Sequence, residues 1–181
     1  MRELGDIEAA LLLNEDATSR SLNFDSPTWA GVEDLLDSLE VSFGDVSGYV
    51  LPPEADQEGH AIGPPLGDAV VTGVQSAGEQ AFLDFRGGNG LVKSLQLDVW
   101  AEDDGSPFVE LTLFPPEDLE PTPSLRDDFI AWVHELQTCL RARRCYARYE
   151  CASWKLGDTF GVFFVSDGGC DEPPDGQRAT G

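Results

Sequence analysis

Hydrophobic and polar positions along the chain change period three times, and each change predicts a different kind of element. In GDIEAALLLNED, Ile7, Ala10 and Leu11 share one helical face with Asp6 as cap, which predicts a short helix ending near Asn14. A brief apolar piece, Ser21 to Phe24, leads to DSPTWAGVEDLLDSLE. There Asp25 or Ser26 can cap and Pro27 can take the first helical position, where its missing N–H costs nothing. Trp29, Val32, Leu35, Leu36 and Leu39 follow helical spacing, with Asp34, Asp37 and Glu40 facing outward.

From Ser47 to Phe114 the period is two. SGYVLP, DAVVTGV, QAFLDFR, LVKSLQLDVW and PFVELTLF are short, rich in β-branched and aromatic residues, and separated by Gly, Pro, Asn and Asp clusters. They predict an antiparallel meander in which Leu95, Leu97, Val99, Val109, Leu111 and Leu113 face a core. Gly87 to Gly90 and Asp104-Gly105 are hairpin-turn signals. Pro52 to Asp68 and Phe114 to Ser124 are Pro-rich and predict surface connections.

The helical period then returns in SLRDDFIAWVHELQTCL. Ser124 stands as N-cap, Asp127 and Asp128 sit at the positive end of the dipole, and Leu125, Phe129, Trp132, Val133, Leu136 and Leu140 form the apolar stripe. Arg141, Arg143 and Arg144 fall in or just past its last turn, where helix polarity and nearby acids favour them. YARYECASW and TFGVFFVS, joined by a turn at Leu156-Gly157-Asp158, predict a final hairpin. The expected architecture is α+β: an antiparallel sheet of about five to seven strands, two main amphipathic helices and a short N-terminal helix. Residues 1–168 form one domain in this reading, and 169–181 a disordered tail.

Charge changes the picture most. The chain of 181 residues has 34 acidic and 11 basic residues, a net charge of -23. Residues 1–138 hold 28 acids and 5 bases, whereas 139–181 hold 6 of each. Such a field repels nucleic acid and anionic lipid and steers a basic partner inward, although solubility alone would also account for it. No run approaches a membrane span or a signal peptide, so a soluble, cytoplasmic protein is expected. Cys139, Cys145, Cys151 and Cys170 lack zinc-ligand spacing and read as free, mostly buried thiols; no metal or cofactor is expected.

Catalytic signals are weak. No P-loop, GxSxG, HExxH, EF-hand or GxGxxG pattern occurs. Asp103-Asp104 and Asp127-Asp128 are two of many acid pairs in an acidic chain. His134 could serve as a general base beside Glu135, in a small hydrolase-like enzyme; a helix-surface or satisfied core role is the plainer account of it, and His60 sits in the Pro/Gly connection.

The order of SPTWAGVEDLLDSL, the turn between FLDFRGGNG and LVKSL, and FPPEDLEPTPSLRDDFIAWVHELQTCLRARRCYARYE resembles immunity proteins of bacterial polymorphic-toxin systems, contact-dependent or secreted, over about 27–155. Phe114 to Pro116, Leu125 to Leu140, Arg141 to Arg144 and Cys145 to Trp154 carry the likeness. A proline is missing near Arg144, and Pro52 to Asp68 and the last hairpin look like additions. The resemblance implies a cytoplasmic, non-enzymatic antitoxin that blocks a cognate toxin domain, often a nuclease or nucleic-acid deaminase. From loop position, Glu102, Asp103, Asp104, Glu117, Asp118 and Glu120 are the candidate partner-binding rim. Two further roles fit the same acidity: a nucleic-acid mimic or regulator inhibiting another enzyme, and an accessory subunit of a larger complex.

Overall fold

The alternating segments assemble into one sheet, and the helical ones pack on one side of it. A computed structural model of the chain describes residues 6–12, 20–53, 58–88, 90–116, 119–149 and 162–167. In chain order the elements are α1 (Asp6–Leu12), β1 (Arg20–Asp25), α2 (Trp29–Ser42), β2 (Asp45–Leu51), β3 (His60–Ile62), α3 (Leu66–Ala77), β4 (Gln80–Arg86), β5 (Ser94–Ala101), β6 (Pro107–Phe114), α4 (Leu125–Leu140), β7 (Arg144–Tyr149) and β8 (Val162–Asp167). The eight strands form a single sheet in the order β3-β2-β4-β5-β6-β1-β7-β8, with each neighbouring pair antiparallel.

The α+β class holds, with one strand more than the upper expectation. Both β1 and β3 are additional strands, whereas DAVVTGV is helical. In α3, Leu66, Val70 and Val74 recur every fourth residue and are buried against the core, so the i, i+4 stripe overrides the strand preference of Val70-Val71. Gly78 ends α3 in the left-handed region at φ 69°. The start of α3 has no side-chain cap of its own; the Glu40 carboxylate accepts the Leu66 N–H at 2.6 Å. That duty draws Glu40 partly inside, away from the outward position its spacing predicts. The Pro52 to Asp68 connection is therefore not all loop: β3 pairs with Gly48 to Val50, and α3 has begun before it ends.

Helix α2 starts later than Asp25 or Ser26 would place it. Thr28 is the N-cap, its Oγ1 accepting the Gly31 N–H at 3.0 Å, and Pro27 precedes the cap. Asp25 instead accepts from Arg143, and Ser26 turns the chain at φ 56°. Gly31 lets α2 lie directly on the end of α4, where the Thr28 N–H donates to the Leu140 carbonyl at 3.1 Å. In α4 the predicted stripe is buried throughout, but the Ser124 side chain makes no capping bond.

The hydrophobic core is one cluster. It joins Ile7 and Leu11 of α1 and the stripes of α2, α3 and α4 to the sheet positions Leu22, Phe24, Leu83, Phe85, Leu95, Leu97, Val99, Val109, Leu111 and Leu113. All four described helices thus cover the same sheet face. Gly87, Gly88 and Gly90 all have positive φ in the β4–β5 connection, a conformation that glycine adopts without a Cβ penalty. The 169–181 tail, Cys151, Cys170 and the Leu156 to Asp158 turn lie outside the described residues.

Candidate functional site

Strand alternation sends every second side chain to the face opposite the helices, and no described helix covers that face. The register aligns these side chains into rows. One row runs Ala61, Tyr49, Phe82, Asp98, Glu110, Asn23, Tyr146, Val165, one residue from each strand in spatial order. The next runs Ser47, Asp84, Gln96, Thr112, Ser21, Arg148. Toward β1 and β7 the side chains are buried, with the Arg148 guanidinium 5.8 Å from the centroid of the Tyr146 ring. Toward β2 and β4 they are exposed, apart from the half-buried Asp84.

Apolar exposure concentrates here. Of the six large apolar side chains exposed among the described residues, Tyr49, Leu51, Phe82, Phe114 and Val165 lie on this face, each 37% to 43% accessible; Val41 on α2 is the exception. Trp100 and Phe108 stack at 3.8 Å on the same face, one step before the β5–β6 turn. Tyr49, Leu51 and Phe82 are neighbours on β2 and β4, whereas Phe114 and Val165 stand apart; an adjacent exposed apolar group marks an interaction site more often than a scattered residue does.

Between the aromatics stand three carboxylates. Asp98 lies directly opposite Glu110, a like-charge cross-strand pair that opposes sheet formation. Glu110 is 4% exposed. Asp84 sits one row over and accepts a bond from Gln96 Nε2 at 3.1 Å. Burial, then the neighbouring Glu110 and Asp84 charges, push the Asp98 carboxyl up to about 6. Phe82, Leu83, Asp84, Gln96 and Asp98 line a half-open cavity of about 150 Å³.

The Asp98 shift sets a stability profile. In the unfolded chain this carboxyl titrates near 4, so between about pH 4 and pH 6 the folded state binds more protons. Stability therefore falls as pH rises through that window and stays lower above it. Asp98→Asn, which cannot ionise, should raise stability at pH 7.5 by roughly 1 to 2 kcal/mol, after allowing for the part of the group that solvent screens, with little gain at pH 4. Urea midpoints at the two pH values measure this; equal midpoints for variant and wild type at pH 7.5 would refute it.

The residues singled out by loop position are not brought together. Glu102, Asp103 and Asp104 share the exposed β5–β6 turn, shaped by Gly105 at φ 81° and by Asp104 Oδ1 accepting from the Ser106 N–H at 2.9 Å and its hydroxyl at 2.6 Å. These bonds hold the Asp104 carboxyl below its ordinary value. Trp29 Nε1 donates to the Gly105 carbonyl at 2.8 Å, tying the turn to α2. Glu120, also exposed, lies beyond the opposite end of β6, an eight-residue strand about 25 Å long. Glu117 and Asp118 lie outside the described residues. The carboxylates of the uncovered face were missed because alternation in LQLDVW and FVELTLF reads as a solvated edge of each strand. Only the register shows Asp98 meeting Glu110.

The arginine cluster is internal chemistry. Arg141 is the C-cap of α4 at φ 54°, and no arginine sits within the helix's last turn. Arg141 pairs with Asp34 at 2.8 Å, Arg143 with Asp25 at 2.5 Å and Arg144 with Asp167 at 2.5 Å, so the three reach α2, β1 and β8 respectively. His134 is exposed on α4, with Nδ1 3.1 Å from Ser166 Oγ. That hydroxyl is buried and spends its proton on Gln137 Oε1 at 2.6 Å, so it accepts from the imidazole and cannot be activated by it. Asp127 and Asp128 are exposed in the first turn of α4, and His60 is exposed on β3. Cys139 and Cys145 are free thiols; desolvation raises both, most strongly the fully buried Cys145. Among the described residues no group of three or more His, Cys, Asp or Glu could hold a metal, and no helix is long and apolar enough to cross a membrane.

No protein-family model matches the chain, and no curated protein matches it in sequence. Among solved structures the fold is similar to that of a chain in the crystal structure of the toxic C-terminal tip of CdiA from Pseudomonas aeruginosa in complex with immune protein. The TM-score is 0.56 at 15% identity, covering 82% of this chain and 94% of that one.

Proposed function

We propose that this chain is an immunity protein: it binds a bacterial toxin domain and neutralises it by occupying the toxin's active-site surface, without catalysis of its own. The observation that carries the reading is the part of the sheet face over β2, β4 and β5, opposite the described helices, where the exposed Tyr49, Leu51 and Phe82 stand beside Asp84 and Asp98, the latter held against burial and like charge. Groups kept against stability mark function more often than architecture. A fold likeness to a chain from a toxin and immune-protein complex supports the same reading. So does the charge of -23, which would steer the protein onto a toxin that is basic around its cleft. In this proposal Glu102, Asp103, Asp104, Glu117, Asp118 and Glu120 form an outer acidic rim that speeds encounter, and the protein acts in the cytoplasm.

Co-expression with the product of the neighbouring gene tests the proposal. That product alone should arrest growth, and this chain should restore it and co-purify with the toxin. A neighbour that is harmless alone, or one that stays toxic and unbound in the presence of this chain, would rule the immunity reading out.

A further inference from the structure

Resting on that reading, we infer that the uncovered face over β2, β4 and β5 is the surface on which the toxin docks, with an arginine side chain of its basic face entering the cavity between Phe82, Asp84, Gln96 and Asp98.

Geometry, chemistry and charge point to this occupant. A cavity of about 150 Å³ is of the size that admits a benzene ring, and a guanidinium is smaller and equally planar. The polar lining is rich in acceptors. Gln96 Nε2 already donates to Asp84 Oδ1, which leaves Gln96 Oε1, the second Asp84 oxygen and both Asp98 oxygens as acceptors on residues that line the cavity. Such a lining suits a group that only donates, and guanidinium carries five N–H donors in a planar fork. Phe82, 38% exposed, supplies an aromatic wall for stacking.

Among the described residues no basic side chain pairs with Asp84 or Asp98, although Arg141, Arg143 and Arg144 each find acids elsewhere. A bound metal ion is a poorer fit, because no set of three suitable ligands converges here among the described residues. A phosphate-bearing partner would be repelled. The exposed Tyr49 and Leu51 flank Phe82 on the β2 side, where apolar contacts can exclude water from a buried ion pair and strengthen it.

The test compares variants by calorimetric titration against the toxin domain encoded by the neighbouring gene, at one fixed salt concentration. Asp84→Asn with Asp98→Asn should weaken binding by about tenfold or more, and Phe82→Ala by a similar factor. Rim changes, Asp103→Asn and Glu120→Gln, should alter Kd by less than about threefold and act on the association rate. Thermal melts on the same samples separate lost contact from lost fold, and Asp98→Asn is expected to melt no lower than wild type. Cavity variants that bind like wild type, while wild type binds and rescues, would overturn the docking inference and leave the immunity reading standing. Failure of wild type to bind would overturn both. Sedimentation supplies a third outcome: a homodimer of the isolated chain that Phe82→Ala dissociates would assign the face to a second copy instead.

Discussion

Phe129→Ala should lower stability by about 3 to 5 kcal/mol, the range for deleting a fully buried phenylalanine. Phe129 has no solvent exposure, and its ring stands 6.3 Å from Trp132, 6.4 Å from Phe163 and 6.3 Å from Phe164. It therefore joins α4 to β8, which among the described residues is an edge strand with a sheet neighbour on one side only. Truncation leaves a cavity where three aromatic rings lose their common partner. A melting temperature lower by roughly 10 °C is expected for a chain of this size, with amide protection in Val162–Asp167 lost first. A shift under about 3 °C would show that the site collapses around the smaller side chain and that Phe129 does not hold β8.

Gly31→Ala carries the next largest cost, about 3 kcal/mol, in the direction opposite to the usual gain from alanine within a helix. A Cβ at this position would stand 2.4 Å from the Leu140 carbonyl oxygen, 2.5 Å from its carbon and 2.7 Å from its Cα. All three are backbone atoms, so no rotamer change relieves the clash and α2 must move away from α4. That movement stretches the bond from the Thr28 N–H to Leu140, and it disturbs α3 through the Glu40 cap. Gly44→Ala is the control: nothing lies within 4 Å of its Cβ, and a change within about 0.5 kcal/mol is expected. Equal denaturation midpoints for the two variants would contradict the close-packing account.

Much of this architecture could be read from side-chain period, and the places where it could not share a physical cause. The stripes of α2 and α4 and the strands β4, β5, β6, β7 and β8 each follow from their own residues, because one buried face imposes its period locally. Helix α3 does not, since Leu66, Val70 and Val74 are separated by β-branched and small residues that also suit a strand. Its capping group arrives from Glu40, 26 positions away. Strand β1 is too short to signal itself; Leu22 and Phe24 face the core, but Ser21 and Asn23 are buried too, so alternation of polarity is matched by no alternation of exposure. The candidate site was legible in chemistry but not in place. Acidity and aromatic content pointed to a charged protein surface, whereas pairing across strands decided which acids and aromatics meet. Asp98 and Glu110 belong to strands whose register no single segment encodes.

The location of β1 also has a consequence in time. Asn23 lies between Glu110 and Tyr146, so a segment made near the start of synthesis has no sheet partner until residues about 90 and 120 positions later have emerged. Such sequence-distant pairing imposes a large loop-closure entropy and slow, late folding. The row from Tyr49 to Val165 passes through Asn23, and it exists only when both halves of the chain are joined around β1. A ribosome-bound fragment ending before Arg144 would hold β2 to β6, and with them the face over β2, β4 and β5, before β7 and β8 complete that row, so the docking surface can form ahead of the finished sheet.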